Sequence, residues 1–263
     1  MKLGFIGTGN MGGAIIRALS DKEDITLYGI NQTREKLEQL ANETSLTPCA
    51  SIQELTAASD IIILAVKPQQ METVWPQLVP ALTKDTCVVS IVAGLTVESL
   101  QEHCQNICPV IRAMPNTPVL NKQGVTAVCL DDKTLTETQK AAVIRIFEQV
   151  GDVPILPESQ LDAFTALIGS GPAFIFYLIE TMIESGVSMG LERTASSQMV
   201  KKLFYGASHM ALFTEEHISM LKEMSIAPAG TTIAALNHFD RSGLRGTMID
   251  AIEQAFIRSK ELG

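Results

Sequence analysis

Apolar residues in the first half of the chain fall into short runs, and between the runs they recur every three or four positions. The runs Leu3–Ile6, Ile25–Ile30, Ile61–Val66, Cys87–Val92, Val110–Ala113 and Val125–Leu130 predict strands. The stretches Met11–Leu19, Glu35–Ala41, Glu72–Leu82, Val97–Glu102 and Glu137–Val150 predict helices. β-rich runs separated by helices are the sequence form of βαβ units, and so of a mainly parallel, doubly wound sheet covered on both faces. After about Pro157 the strand-like runs stop. Helical patterns fill Leu161–Val187, Thr194–Leu212, Glu216–Met224, Thr232–Phe239 and Leu244–Leu262, with breaks at Gly186–Gly190, Phe213-Thr214, Ala227–Gly230 and Ser242-Gly243. The expected organisation is an α/β Rossmann domain over residues 1–157, followed by an all-α domain over residues 158–263.

The stretch Phe174–Ile179 is apolar all round rather than striped. A helix apolar on every face is buried on every face, and so thin a set of helices is expected to take part of its cover from a second subunit. The alternative is a central helix within one monomeric bundle.

Composition narrows the picture. The chain is 46% hydrophobic and 19% charged, as a globular protein with a substantial core is, but only 5% aromatic. A net charge of −9 argues against nucleic acid or an anionic membrane as partner. The uninterrupted apolar runs are strand-sized, well below the roughly 18 to 20 residues that cross a bilayer, so a cytoplasmic protein is expected. The start, Met1–Gly7, reads as a first strand running into a glycine turn rather than a signal peptide. Cys49, Cys87, Cys104, Cys108 and Cys129 are odd in number and lack paired CxxC spacing, which fits reduced, packed thiols. His103, Cys104 and Cys108 lack a fourth ligand nearby, and no metal is expected.

The chemistry begins at Gly7-Thr8-Gly9-Asn10-Met11-Gly12, a GxGxxG turn after one strand and before one helix. The first glycine allows the tight turn, the second lets backbone approach a pyrophosphate, and the third lets the helix pack on the sheet. Free amides and the helix dipole hold the anion. NAD sites usually place an acid at the end of the second strand to bond the ribose hydroxyls. Here that strand ends in Asn31-Gln32-Thr33-Arg34. Neutral polar groups and Arg34 suit the extra phosphate of NADPH, although Arg34 is equally suited to a solvated helix position. Ala65-Val66-Lys67-Pro68 lies at the carboxyl end of another strand, the end that faces the ligand crevice in an open sheet. Asn116-Thr117-Pro118 marks a further turn that could line the same crevice.

These residues resemble the pyrroline-5-carboxylate reductases over essentially the whole chain. The resemblance runs through the glycine turn, Ala65–Pro68, the Ala93-Gly94 turn, Arg112–Pro118 and Gly169-Ser170-Gly171-Pro172-Ala173. It ends in Pro228-Ala229-Gly230-Thr231-Thr232-Ile233, which looks like the family's signature loop. It implies a Rossmann domain, a helical domain that interleaves into homodimers, and larger assemblies of dimers among relatives. The implied reaction is reduction of 1-pyrroline-5-carboxylate to L-proline, the last step of proline biosynthesis, with NADPH preferred and NADH possible. The implied cofactor contacts are Gly7 through Gly12, Asn31, Gln32, Ala65 through Pro68, and Ala93. The implied substrate contacts are Glu158, Gly230, Thr231 and Thr232. The loop departs from the family's common form at Ala227, often Ser, and at Ala229, often Gly. An alanine makes any left-handed backbone at 229 costly.

The implied substrate is electrophilic once its imine is protonated, so little acid–base machinery is needed. Accordingly, His209, His217 and His238 sit in helical stretches and read as surface or satisfied core residues. Thr232 is the candidate catalytic residue, a hydroxyl for the ring nitrogen; it is equally placed to cap the helix that follows. Glu158 could favour a charged iminium, or simply favour a helix start. Alternatives are a reductase of another cyclic imine and a non-catalytic dinucleotide-binding relative. A β-hydroxyacid dehydrogenase would need a lysine on the long helix, and none occurs from Gln160 through Gly190.

Overall fold

Strand residues Leu3, Phe5, Ile61, Ile62, Ile63, Leu64, Val88 and Val89 are almost wholly removed from solvent, so neither face of their sheet meets water. That is the condition of a parallel sheet sandwiched between helices. The computed structural model describes residues 1–262. It contains strands β1 (Lys2–Ile6), β2 (Thr26–Ile30), β3 (Leu46–Pro48), β4 (Ile61–Leu64), β5 (Cys87–Ser90), β6 (Val110–Pro115), β7 (Gly124–Cys129) and β8 (Gly151–Asp152). They form one sheet in the order β3-β2-β1-β4-β5-β6-β7-β8. Pairing is parallel from β3 across to β6, and β7 runs antiparallel to β6. The order reverses beside β1, with β2 on one side and β4 on the other. Ligands of such sheets bind in the crevice this switch opens at the strands' carboxyl ends. The register Ile6↔Ile30 and Ile6↔Leu64 brings the ends of all three strands level there.

Helices α1 (Asn10–Leu19), α2 (Arg34–Glu43), α3 (Ile52–Ala57), α4 (Met71–Leu78), α5 (Val97–His103) and α6 (Glu137–Phe147) complete this part. One apolar core joins α1 to one face of the sheet through Ile15, Ile16 and Leu19. The other joins α3, α4 and α5 to the opposite face through Leu55, Leu78 and Leu100. The six strands expected from sequence are all present, while β3, β8 and α3 were not anticipated. β3 is three residues long and ends in a proline, and β8 has only two, too few to show a period.

Among the described residues the last buried apolar side chains along the chain, Leu161, Phe164 and Ala166, still belong to the sheet unit. Short helix α7 (Leu161–Phe164) is followed by a π-helical turn, Thr165–Gly169, in which Ser170 N donates to Thr165 O at 2.9 Å. Pro172 has no N–H, so the carbonyl four residues before it, Ile168 O, loses its helical donor. Asn116 Nδ2 donates to Ile168 O instead at 3.2 Å, and Asn116 Oδ1 accepts from Val125 N at 2.9 Å. Asn116, read from sequence as a crevice residue, therefore serves as a structural clip.

Compactness divides the chain into Met1–Ser170, with the turns from Ala255 onward, and Gly171–Gln254. Helical turns begin earlier, at Glu158, where the sequence changes character. The second unit holds α8 (Gly171–Ser188), α9 (Arg193–Leu212), α10 (Ile218–Glu223), α11 (Thr231–Arg241) and the first turns of α12 (Leu244–Leu262). Helices α8 and α9 meet at Gly186 and Ser196, the two residues that are buried between Gly171 and Gln254. Phe176, Tyr177, Leu203, Tyr205, Leu212 and Phe213 are all more than half exposed in the single chain.

One expectation needs correction. The helical turns of Glu158–Ser188 extend over 31 residues, long and apolar enough to cross a membrane by length and composition only. Counting uninterrupted apolar runs missed it, because Thr165, Gly169, Ser170 and Gly171 interrupt the run without adding charge.

Candidate functional site

The glycine turn is built as its spacing demands. Gly7 adopts φ +99, and a Cβ there would lie 2.5 Å from the carbonyl oxygen of Ala65 on β4's exit. A Cβ on Gly12 would collide with the carbonyl oxygen of Gly7, so α1 closes on the turn only without a side chain. A Cβ on Gly9 would meet nothing within 4 Å. The second glycine thus faces open space, where a pyrophosphate would approach. Gly9 is the N-cap of α1, no side chain caps that helix, and its first turn carries no acid. Its leading amides and positive dipole end are left for an anion. Thr8 is buried beside them, with a hydroxyl that has no hydrogen-bond partner among the described residues.

A groove of about 770 Å³ runs from this turn along the carboxyl ends of β1, β2 and β4. Gly7, Gly9, Asn10, Met11, Asn31, Gln32, Ala65, Val66 and Lys67 line it, so one surface collects most of the residues expected at a dinucleotide. Thr8 and Gly12 lie behind the wall. Arg34, Pro68 and Ala93 are not part of the lining. Arg34 is the first residue of α2, and its Nε donates to Glu38 at 2.8 Å one turn on. The wall also contains residues that sequence reasoning did not single out: Gln69 and Gln70, with Thr73 and Gln77 from α4. The lining includes Lys67 as its cation and no Asp or Glu. Backbone open to an anion, a neutral polar rim and Lys67 fit a phosphorylated dinucleotide.

Another cavity, of about 630 Å³, lies at the opposite, amino-terminal edge of the sheet between Met1, Asp60, Asp85 and Arg145. It has no glycine turn, and Arg145 is engaged by Asp24 through two bonds of 2.6 and 2.9 Å. The crevice at the switch point is the stronger candidate.

The expected substrate residues divide between the two compact units. Glu158 belongs to the sheet unit, where its Oε1 accepts from Val97 N at 2.7 Å and from Arg112 Nη1 at 3.1 Å. It supplies an acceptor to the first amide of α5 and neutralises a guanidinium whose side chain is only 8% exposed. Arg112 also faces Asp162 at 3.6 Å, and Ser259 Oγ donates to that carboxylate at 3.0 Å. This ion cluster was not anticipated; the only signal was a charged residue inside the apolar strand Val110–Ala113.

In the helical unit, Gly230 is the N-cap of α11, and Thr231 and Thr232 are its first two residues. No side chain caps α11. Thr232 therefore does not cap it, contrary to one of the two roles its position allowed. Among the described residues the amides of Thr231, Thr232 and Ile233 have no acceptor, and the first turn carries no acid. The turn that delivers the chain to this helix places Ala229 at φ +57, the left-handed conformation that alanine resists.

Cysteine and histidine add no chemistry to either place. All five cysteines are free and buried, and burial pushes the Cys87 and Cys129 thiols up to about 12. His103 stacks on Trp75 at 4.8 Å and bonds through Nδ1 to Ser99 O at 2.7 Å.

Comparison with known proteins covers both regions of the chain. Residues 158–262 match the family model described as pyrroline-5-carboxylate reductase dimerisation. Residues 2–94 match one described as NADP oxidoreductase, coenzyme F420-dependent. The chain is 33% identical to the pyrroline-5-carboxylate reductase of Escherichia coli, over 99% of this chain and 98% of that protein. It is 34% identical to the Methanosarcina acetivorans enzyme of the same name, over 100% of this chain and 98% of the relative. The crystal structure of a Plasmodium falciparum pyrroline carboxylate reductase with NADP bound superposes with a TM-score of 0.88 at 30% identity, covering 100% of this chain and 98% of that one. With likeness running end to end over both the glycine cradle and the α11 loop, the chain belongs to the pyrroline-5-carboxylate reductase family.

Proposed function

We propose that this protein reduces 1-pyrroline-5-carboxylate to L-proline, the final step of proline biosynthesis, using a nicotinamide dinucleotide and preferring NADPH. The observation that carries the reading is the start of α11, where three adjacent amides and the Thr232 hydroxyl are unengaged. A small anion is what such a helix end binds best, and the substrate's carboxylate is one. When bound, the reduced nicotinamide supplies the hydride. The rest is the work of side chains and backbone. Gly7 through Gly12 and Lys67 hold the cofactor's anionic groups. Gly230, Thr231 and Thr232 fix the carboxylate, and Thr232 offers its hydroxyl to the ring nitrogen as the C=N bond becomes C–N. Such orientation contributes several kcal/mol without an acid–base pair. Glu158 serves the site indirectly, by holding the start of α5 after the Ala93-Gly94 turn.

The exposed apolar residues of α8 and α9 support a homodimer formed through the helical unit, within which residues 158–263 act as the dimerisation and substrate domain. Unaided, Gly171–Gln254, with no buried apolar side chain, lacks the driving force to fold. The same interface gives the apolar helix Glu158–Ser188 a protein partner in place of lipid, and we place the enzyme in the cytoplasm.

The test is NADPH oxidation by the purified protein with 1-pyrroline-5-carboxylate, with NADH and the six-membered cyclic imine in parallel. Turnover fastest with the five-membered imine and NADPH is the expected result. No oxidation with either imine, from protein that binds NADPH, would overturn the assignment in favour of a non-catalytic relative.

A further inference from the structure

NADPH and NADH differ at one place, the 2′ position of the adenine ribose, which lies beyond the end of the second strand in a fold of this kind. Here the groove beyond that strand is lined by Asn31 and Gln32 and by Lys67 and Gln70. Arg34, the obvious cation in the sequence, is engaged with Glu38. The groove wall itself offers groups whose polarity is not evident from their names, because a glutamine amide can present either its oxygen or its nitrogen.

The hydrogen bonds remove that ambiguity. Gln70 is the last residue of the short turn Pro68–Gln70, and its side chain folds back to accept from Lys67 N at 3.0 Å. A backbone N–H can only donate, so the Gln70 oxygen faces Lys67 and its NH₂ faces away. That NH₂ donates to Gln32 Oε1 at 3.1 Å. Gln32 must therefore accept with its oxygen, which leaves its own NH₂ without an acceptor among the described residues. The Lys67 amide, acting through Gln70, thus decides which end of Gln32, 38 positions from Gln70 in sequence, is free.

We propose that Gln70 is a specificity-determining residue: by orienting the Gln32 amide it presents a donor-only edge that, beside Lys67, selects a 2′-phosphate over a 2′-hydroxyl. A phosphate offers only acceptors, and two N–H groups held outward match it. A hydroxyl donates and accepts equally, and gains little from an amide fixed in one sense. Without the relay Gln32 turns freely and the distinction fades. This rests on the NADPH reading made above.

Isothermal titration of NADP⁺ and NAD⁺ tests the relay without turnover, and thermal melting checks the fold of each variant. Wild-type protein is expected to bind NADP⁺ the more tightly. Q70L and Q32L should each lower the NADP⁺/NAD⁺ affinity ratio by about 5- to 10-fold. The double variant should lower it no further, since both act through one amide. In Q70E a carboxylate still accepts from Lys67 N but also accepts from Gln32, reversing the amide, and the ratio should fall below that of Q70L. An unchanged ratio in Q70L, or losses that multiply in the double variant, would overturn the relay while leaving the NADPH preference standing. Equal affinity for the two dinucleotides in wild-type protein would overturn both.

Discussion

Among the described residues, every buried apolar side chain lies between Leu3 and Ala166, whereas between Gly171 and Gln254 burial is confined to Gly186 and Ser196. The two regions do not differ in lacking apolar residues. Helix α8 alone carries Phe174, Ile175, Phe176, Tyr177, Leu178 and Ile179 in succession. They differ in where the covering surface comes from. The sheet unit folds its own helices over both faces and closes two cores. The helical unit buries Gly186 and Ser196 and leaves Phe176, Tyr177, Leu203, Tyr205, Leu212 and Phe213 more than half exposed. The first closes its cores with its own helices, and the second leaves an apolar surface that the proposed dimer would cover.

The most severe way to break this contrast is to place a charge on the outward apolar face. Phe176→Asp is expected to dissociate the assembly and abolish turnover, because an unpaired carboxylate in a dry interface costs several kcal/mol on each side of a two-fold contact. Sedimentation with parallel assays checks it, and an intact oligomer would show that this face is not the interface. A charge removed from the sheet unit should act differently. Arg112→Met leaves Glu158 and Asp162 without their shared cation, and both carboxylates are partly exposed, so the loss is put at about 2–3 kcal/mol, below the usual figure for a fully buried pair. Urea unfolding measures this.

Thr232→Ala separates chemistry from folding. It is expected to lower kcat by about 10- to 100-fold, an effect of the size seen for a hydrogen bond made to charge developing in a transition state, with NADPH affinity and melting temperature nearly unchanged. Unaltered turnover would remove Thr232 from the mechanism. Glu158→Gln keeps an oxygen for Val97 N and should cost less than Glu158→Ala, by about 1 kcal/mol of stability. If Glu158 instead faces the imine electrostatically, the glutamine variant will lose kcat as fully as the alanine one. The smallest effect concerns the loop before α11. Ala229→Gly relieves a left-handed alanine, worth about 1–2 kcal/mol, but adds freedom to the unfolded chain, so a net gain of about 0.5–1 kcal/mol is expected.

Features carried by local spacing were legible in the sequence. The six longer strands, the GxGxxG turn and the change to helical turns near Glu158 follow from periodicity and from where glycine is indispensable. The left-handed backbone at Ala229 was anticipated only as a cost, and the structure shows that the loop adopts it. The pairing of Arg34 with Glu38 was also open to reading, since a carboxylate one turn along a helix is its natural partner. That pairing is an exposed one and holds Arg34 only weakly.

What the sequence determined by itself was the kind of fold, the place of the cofactor turn, and the loop from Ala227 to Thr232 that marks the family. Tertiary structure decided which polar groups are free to act. Glu158 is engaged because Arg112 and Val97 lie 46 and 61 positions from it along the chain yet beside it in space. Asn116 is engaged because Pro172 orphans a carbonyl that the fold brings within 3.2 Å. Gln32 is oriented by a residue 38 positions on. Periodicity reports which face of an element is apolar, and that suffices for a fold. The availability of a donor or acceptor depends on partners that only the folded chain brings within hydrogen-bonding distance.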